Sequence, residues 1–147
     1  MPKKIFVNLP VADVERSAGF YEAVGFARDQ RFSRPGSAAA MTWSDTIAFM
    51  LLSREHFANF TSKTIIDAHS SVEALLCLSR DSRAEVDAIV ESARAAGGKA
   101  DPCPKQDHGF MYGRSFEDPD GHIIELVWMD VEAAMAAMSG GAETADA

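Results

Sequence analysis

Glu125 is the residue whose type and position offer the clearest chemistry. It belongs to the segment Ile123–Met129, and in an extended strand it shares a face with three apolar residues, Ile123, Val127 and Met129. Desolvation opposes the charge of a carboxylate on an apolar face unless the group is paired or hydrogen-bonded. Two interpretations therefore stay open: a catalytic proton acceptor or ligand contact, and a structural acid bonded to arginine or to backbone N–H groups.

Tyr112 and Arg114 are candidate substrate-binding residues on a second predicted strand. They lie two positions apart, so their side chains share a face. An aromatic ring beside a guanidinium suits a carboxylate or a planar group of a ligand. The alternative for Arg114 is an ion pair with an acid of the protein itself, such as Glu125 or Glu117.

Asn8 and His108 complete the set of candidate substrate-binding residues. Asn8 belongs to the alternating segment Ile5–Val11, whose other face is apolar. Its amide can donate and accept hydrogen bonds, which suits a small polar ligand in a cleft; a bond to a neighbouring strand is the alternative. His108 stands in a loop, where ligand contacts are common but where a solvated side chain is the simpler expectation.

The elements that must position these residues occur twice along the chain. Each half has an apolar strand, an aspartate before an amphipathic helix, a glycine after it, a short strand and a hairpin with aspartate in its turn. The first helix lies between Asp13 and Gly25, the second between Asp81 and Gly97, and the second hairpin turns at residues 118–121. This order predicts two β-α-β-β-β modules and an α+β fold.

The two modules are expected to form a single domain of residues 1–130. Module one is expected at residues 1–55, a linker at 56–72 and module two at 73–130. The segment 131–147 begins as an Ala- and Met-rich helix and is predicted to be frayed towards its small, polar end.

The composition limits the partners and the compartment. A formal net charge of −8 on 147 residues disfavours nucleic acid and anionic membrane surfaces as partners. No apolar run reaches the ~18 residues that a membrane helix needs. The two cysteines, Cys77 and Cys103, have no CxxC spacing, and Cys77 is expected to be buried because it lies in the apolar run Ala74–Leu78. A cytoplasmic location is the expectation.

Two stretches of the sequence resemble a known superfamily. The opening FVNLPVADVERSAGFYEAVGF and the ending FMYGRSFEDPDGHIIELVWMD are similar to the two ends of glyoxalase/bleomycin-resistance/extradiol-dioxygenase proteins, the vicinal oxygen chelate superfamily. The resemblance covers the chain from Ile5 to Asp130. It implies the glyoxalase/bleomycin resistance/dihydroxybiphenyl dioxygenase fold, in which two βαβββ modules form a cupped eight-stranded mixed sheet around a cleft. It also implies a homodimer.

The resemblance further implies where a metal would bind. Metal-using members take one ligand, typically His, Gln or Glu, from the first and the last strand of each module. On this sequence the four positions fall on Phe6, near Met50, on Ala74 or Leu75, and on Glu125. Only Glu125 suits a divalent cation, because a phenyl ring, a thioether and an alkyl group do not replace imidazole or carboxylate.

Three functions stay open for such a chain. The first is binding of a small organic molecule in the cleft without the standard metal tetrad, by a binding protein or a lyase-like enzyme. The second is a glyoxalase I-like lyase or an extradiol dioxygenase, with Zn, Ni, Mn or Fe held by Glu125 and by ligands outside the standard positions. The third is a dimeric scaffold without a small-molecule role. Fold alone does not choose between them.

Overall fold

The computed structural model describes the backbone of residues 1–146 and the side chains of residues 1–139, beginning with a five-element module. Module one consists of strand β1 (Ile5–Val11), helix α1 (Val14–Ala23) and strands β2 (Ala27–Arg34), β3 (Ala38–Thr42) and β4 (Ile47–Ser53). Strand β1 pairs in parallel with β4, and β2, β3 and β4 are antiparallel, so the sheet order is β1-β4-β3-β2.

A linker and a second module of the same order follow. The linker starts with helix α2 (Arg54–Phe57) and a 3-10 turn (Ala58–Phe60). Module two consists of β5 (Leu76–Ser79), α3 (Arg83–Ala95), β6 (Lys99–Ala100), β7 (Gln106–Asp107), β8 (Met111–Glu117) and β9 (Ile123–Met129). Its sheet order is β5-β9-β8-β6, with β7 also paired to β8. The predicted α+β fold of two modules is confirmed; its strands form hydrogen-bonded sheets of four and five, because the short β7 adds a ninth strand.

The helix of each module begins at a residue whose side chain caps its first turn. The side chain of Asp13 accepts a hydrogen bond from the Arg16 N–H (3.1 Å) at the start of α1. At α3 the Ser82 hydroxyl accepts from the Glu85 N–H (3.1 Å), and the Glu85 carboxylate accepts from the Asp81 N–H (2.9 Å). This capping-box arrangement satisfies donors that the first turn leaves free, so both helices start at fixed points below their sheets.

One hydrophobic core joins the two modules. The ring of Phe20 on α1 packs edge-on against that of Phe116 on β8, with centroids 5.6 Å apart. The cluster of buried residues also includes Tyr21 and Phe49 from module one and Val86 from module two. Each buried aromatic or aliphatic side chain contributes roughly 1.5–3 kcal/mol relative to exposure, so the modules stabilise each other.

The chain ends in helix α4 (Val131–Asp146). The carboxylate of Asp130 accepts a hydrogen bond from the Ala133 N–H (3.1 Å) at its start, and Ala134 is buried against the domain. The helical backbone continues through the positions from 139 to 146 that the composition predicted to be frayed. Within the described residues, no helix is long and apolar enough to cross a membrane.

Candidate ligand-binding site

Each sheet packs one face against its helix and leaves the other face open to a ligand. In β1, Leu9 is buried in the core, whereas Phe6 and Asn8 are exposed on the opposite face. In β9, Ile124 is fully buried and its neighbour Glu125, which points the other way, is half-buried. We call the faces that carry Phe6, Asn8 and Glu125 the inner face. The predicted orientation of Asn8 away from the apolar side of β1 agrees with this arrangement.

A cavity of about 570 Å³, the large pocket, lies between β1, the linker and the start of β9. Its walls are mainly apolar and include Asn8 on β1, Phe57 and Ile65 in the linker, and His122 and Ile123 at the start of β9. Sites for small organic molecules occupy some 300–1,000 Å³ and combine apolar walls with a few polar groups. The large pocket has both properties.

The linker is held in place as a wall of this pocket. The guanidinium of Arg54 donates hydrogen bonds to the carbonyl oxygens of Ile65 (3.1 Å) and Ile66 (3.4 Å). On the other side the linker packs against Gly121, where a β-carbon would lie 2.6 Å from the backbone nitrogen of His69. Gly121 also has a φ of +93°, so both the contact and the backbone conformation require glycine.

The turn between β8 and β9 connects module two to module one. The carboxylate of Asp118 accepts hydrogen bonds from the N–H groups of Asp120 and His122 (both 2.9 Å) and from the Tyr21 hydroxyl of α1 (2.7 Å). The Nε2 of His122 lies 2.8 Å from the carbonyl oxygen of Pro10, which accepts its N–H. Burial raises the pKa of both Asp118 and Tyr21. His122 therefore ties the β8–β9 hairpin to β1 at the edge of the large pocket.

Glu125 lies in a second cavity, the small pocket, of about 210 Å³ on the inner face of module two. Its neighbours in strand register are Cys77 on β5 and Ser115 on β8, which also line this pocket. The Cys103 N–H donates to the Ser115 hydroxyl (3.1 Å), which holds the segment after β6 over the cavity. Among the described side chains, none forms an ion pair with Glu125.

Cys77 is exposed on the inner face, so the expectation of a buried thiol is wrong. The apolar run that contains it is a strand, and Leu78 points into the core while Cys77 points away from it. Partial desolvation and the nearby charge of Glu125 raise the pKa of the Cys77 thiol.

Tyr112 and Arg114 share a face of β8, as predicted, but that face is turned towards α3. The Arg114 guanidinium is almost fully buried and donates to both carboxylate oxygens of Asp101 (3.0 and 2.8 Å), to Asp87 (3.0 Å) and to Glu91 (3.1 Å). The Tyr112 hydroxyl also donates to Asp87 (2.6 Å). The inner face of β8 carries Ser115 instead, because Ser115 is the register partner of Glu125. Substrate contact by Tyr112 and Arg114 stays a prediction, since their partners are side chains of the protein itself.

The charged groups that surround Arg114 beneath α3 have shifted pKa values. Hydrogen bonds from Arg114 lower the pKa of Asp101, and hydrogen bonds from Tyr112 and Arg114 lower that of Asp87. The same contacts raise the pKa of Arg114, led by its bond to Asp101. The cluster is therefore a charged structural contact between α3 and its sheet.

His108 is exposed on the loop after β7. Its Nε2 lies 3.2 Å from the side-chain oxygen of Gln106. The loop is anchored by Arg83, whose guanidinium donates to both carboxylate oxygens of Asp107 (3.0 and 2.7 Å) and, with the Gly109 N–H, lowers the pKa of Asp107 to about 2. His108 itself does not line the large or the small pocket.

The sequence matches the family model of the Glyoxalase/Bleomycin resistance protein/Dioxygenase superfamily over residues 5–126. That range spans module one, the linker and module two as far as Leu126 in β9. The chain belongs to this superfamily. No curated protein matches the sequence of the chain.

Solved structures agree with the superfamily fold. A hypothetical protein from S. aureus is 27% identical to the chain with a TM-score of 0.71, over 86% of this chain and 94% of that one. A glyoxalase/bleomycin resistance protein/dioxygenase family enzyme from Burkholderia phytofirmans PsJN is 22% identical (TM-score 0.68; 86% and 98% covered). A lactoylglutathione lyase from Agrobacterium tumefaciens is 20% identical (TM-score 0.61; 86% and 93% covered). The two latter likenesses concern the fold.

Strand register identifies the four positions where metal-using members of the superfamily are expected to place ligands. On the inner face, Met50 pairs with Asn8 in module one, and Glu125 pairs with Cys77 in module two. Met50 thus stands on the last strand of module one as Glu125 does on the last strand of module two, and Asn8 and Cys77 stand opposite them on the first strands. Because Phe6 precedes Asn8 by two residues, its equivalent in module two is Leu75, one of the two predicted alternatives.

The side chains at these positions do not fit a divalent metal. Phe6, Met50 and Leu75 offer a phenyl ring, a thioether and an alkyl group, and only Glu125 offers a carboxylate. Over residues 1–139, no three His, Cys, Asp or Glu side chains converge in a way that could hold a metal ion.

Two parts of the site were not predicted from the sequence. The linker wall was not predicted because Phe57, Phe60 and Ile65 show no regular period; its position depends on the Arg54 hydrogen bonds and on packing against Gly121. The bond of His122 to Pro10 joins residues that are far apart in sequence, so no local pattern predicts it. The apolar content of the linker was the one available signal.

Proposed function

We propose that this chain binds a small organic molecule on its inner face and does so without the standard metal tetrad of the superfamily. The observation that carries the proposal is the large pocket, a mainly apolar cavity of about 570 Å³. Its linker wall is fixed by hydrogen bonds from Arg54. Its volume and lining are those of sites that take small ligands. Superfamily membership is consistent with such a ligand.

Asn8 is the proposed polar contact in the large pocket. Its side chain stands on the inner face, and it lines the cavity beside apolar residues such as Leu52 and Ile123. A ligand with an apolar body and one hydrogen-bonding group fits this lining, because apolar contact gives affinity and the amide fixes orientation. Glu125, two residues beyond Ile123 on the same face, is proposed as a second contact and as the candidate proton acceptor of any reaction.

Titration calorimetry with 4-phenylbutanol, a neutral apolar probe, tests the location of the ligand. Ala74 is exposed and lines the large pocket, so Ala74→Trp should fill the cavity without disturbing the core. Ala23→Trp, on the exposed side of α1, is the matched control. We expect saturable binding to the wild type and to Ala23→Trp, and none to Ala74→Trp. Equal binding to all three proteins, or none to the wild type, contradicts the proposal.

Metal independence is supported by the residue types at the four ligand positions, Phe6, Met50, Leu75 and Glu125. Elemental analysis of protein purified without chelators, then exposed to Zn²⁺, Ni²⁺, Mn²⁺ and Fe²⁺ and desalted, measures it directly. We expect far less than one ion per chain. One tightly retained ion per chain, lost on Glu125→Gln, would favour the lyase or dioxygenase alternative.

We also propose that the protein is a cytoplasmic homodimer. Phe6 and Leu75 on the inner face are 59% and 50% exposed in the single chain, and large exposed apolar side chains are typical of subunit contacts. Sedimentation equilibrium should give twice the chain mass of 15.9 kDa. A mass equal to one chain at micromolar concentration contradicts the dimer.

A further inference from the structure

Glu125 has no ion-pair partner among the described side chains, in contrast to several other acids of module two. Asp87 and Asp101 are bonded to Arg114, and Asp118 is bonded to Tyr21 and to backbone N–H groups. Glu125 is half-buried in the wall of the small pocket, and no described side chain forms an ion pair with it. The oxygens of this carboxylate can therefore accept hydrogen bonds from a ligand.

The small pocket supplies no positive charge of its own to Glu125. Arg114 borders the pocket, but its guanidinium is bonded to three carboxylates on the other face of the sheet. The remaining side chains that line the cavity near Glu125 are neutral, including Cys77, Ser115 and Gln106. Because the pKa of Cys77 is raised, its thiol stays neutral at pH 7 and adds no competing charge.

The small pocket and the large pocket lie along one row of side chains. Ile123 lines the large pocket, and Glu125 and Val127 line the small one. All three point to the inner face of β9, since Ile124 and Leu126 are buried in the core. Alternate residues of a strand are about 6.6–6.8 Å apart, so a single extended ligand can reach both cavities.

We propose that the small pocket is a subsite for the protonated amine of an elongated ligand whose apolar body lies in the large pocket. The ammonium group donates to the Glu125 carboxylate, and the oxygens of Ser115 and Gln106 are acceptors available for its remaining N–H groups. This inference rests on the proposed function, since it assigns the apolar body to the large pocket. The substrate class it names is a primary or secondary amine with an aromatic or aliphatic chain.

Charge complementarity supports an amine over an acid or an alcohol. A carboxylate ligand would face the unpaired charge of Glu125 within a chain of net charge −8. An alcohol would form one neutral hydrogen bond, and charge-assisted hydrogen bonds are roughly twice as strong as neutral ones. The preference should therefore depend on Glu125 specifically.

Three probes with one apolar body test the subsite by calorimetry at pH 7: 4-phenylbutylamine, 4-phenylbutanol and 4-phenylbutyrate. We expect wild-type protein to bind the amine at least tenfold more tightly than the alcohol, about 1.4 kcal/mol, and to bind the acid most weakly. Glu125→Gln should bring the amine to the affinity of the alcohol. The control Glu22→Gln removes the same charge from the exposed surface of α1 and should keep the preference.

A second variant tests the same subsite from the other side. Cys77→Lys places an ammonium group next to Glu125 at an exposed position and should abolish the amine preference while the alcohol still binds. If the alcohol binds as tightly as the amine, or if Glu125→Gln keeps the preference, the amine subsite is overturned and the proposed function stands. If none of the three probes binds the wild type, both the subsite and the proposed function are overturned.

Discussion

The two modules share one order of elements but attach their helices to their sheets in different ways. In module one the ring of Tyr21 on α1 packs edge-on against the rings of Phe26 and Phe49. The ring centroids are 5.1 Å and 5.7 Å apart, respectively. In module two Arg114 of β8 bonds to Asp87 and Glu91 of α3. The same topology is thus compatible with an aromatic interface in module one and with an apolar interface that also contains a buried arginine in module two.

The inner faces differ as well. Module one presents Phe6 and Met50 at the positions where module two presents Leu75 and Glu125. The carboxylate on this pair of strands therefore comes from module two alone. At these positions module one therefore presents apolar side chains and module two presents one charged side chain.

Phe49→Ala should produce the largest loss of stability. Phe49 is 1% exposed within the aromatic cluster of module one, and truncating such a ring costs about 3–5 kcal/mol through lost contact and the cavity left behind. Urea unfolding followed by circular dichroism measures the change. The control Phe32→Ala, at a residue 65% exposed, should change stability by less than about 0.5 kcal/mol. A loss below about 1 kcal/mol for Phe49→Ala would show that the aromatic cluster does not hold module one.

Arg114→Met should have the next largest effect, about 2 kcal/mol. Breaking a buried ion pair costs about 3–5 kcal/mol, but the partner carboxylates of Arg114 are partly exposed to water, which reduces the penalty. The methionine keeps most of the apolar volume, so the loss reports the charge. The matched control is Arg31→Met at a solvent-exposed ion pair with Asp29, and we expect no measurable loss there. If Arg114→Met is as stable as the wild type, the ion pairs of Arg114 do not help to hold α3 on its sheet, and this difference between the modules has no energetic consequence.

The pH dependence of stability should separate the two interfaces. The pKa values of Asp87 and Asp101 are lowered in the folded protein, so their contribution is present above the unfolded value near 3.8 and is lost as the pH falls through the folded values. Between pH 5 and pH 3, wild type should therefore lose more stability than Arg114→Met, which lacks the interaction. Urea midpoints at pH 5, 4 and 3 give the comparison, and parallel losses in both proteins would contradict it.

Glu125→Gln should have the smallest effect on the protein without ligand, below about 0.5 kcal/mol. Glu125 has no ion-pair partner among the described side chains, so the amide removes no interaction of the fold. Thermal unfolding by calorimetry tests this. A loss above about 1 kcal/mol would assign Glu125 a structural role, the alternative that the sequence left open.

Periodicity predicted the strands and the orientation of Glu125 and Asn8, but it did not predict which face of β8 is the inner one. Tyr112 and Arg114 do share a face, and β8 has polar residues on both faces, so alternation alone cannot choose. The register of the β8–β9 hairpin determines the inner face of β8, because the turn pairs Glu117 with Ile123 and hence Ser115 with Glu125. Arg114 must then point to the opposite face, towards the acids of α3.

The rest of the site depends on contacts between distant parts of the chain. The large pocket exists because the Arg54 guanidinium holds the linker and because the linker packs against Gly121. Neither contact leaves a periodic pattern in the sequence. The exposure of Cys77, by contrast, could have been predicted from the alternation of side chains along its strand. The apolar composition of that strand led instead to the expectation of a buried thiol.

A crystal structure of the protein with 4-phenylbutylamine at saturating concentration tests the binding site and the amine subsite together. We predict the phenyl ring between β1 and the linker, in the large pocket, with the amine nitrogen within hydrogen-bond distance of a Glu125 carboxylate oxygen. A phenyl ring bound elsewhere on the protein, or an empty large pocket, would contradict this prediction.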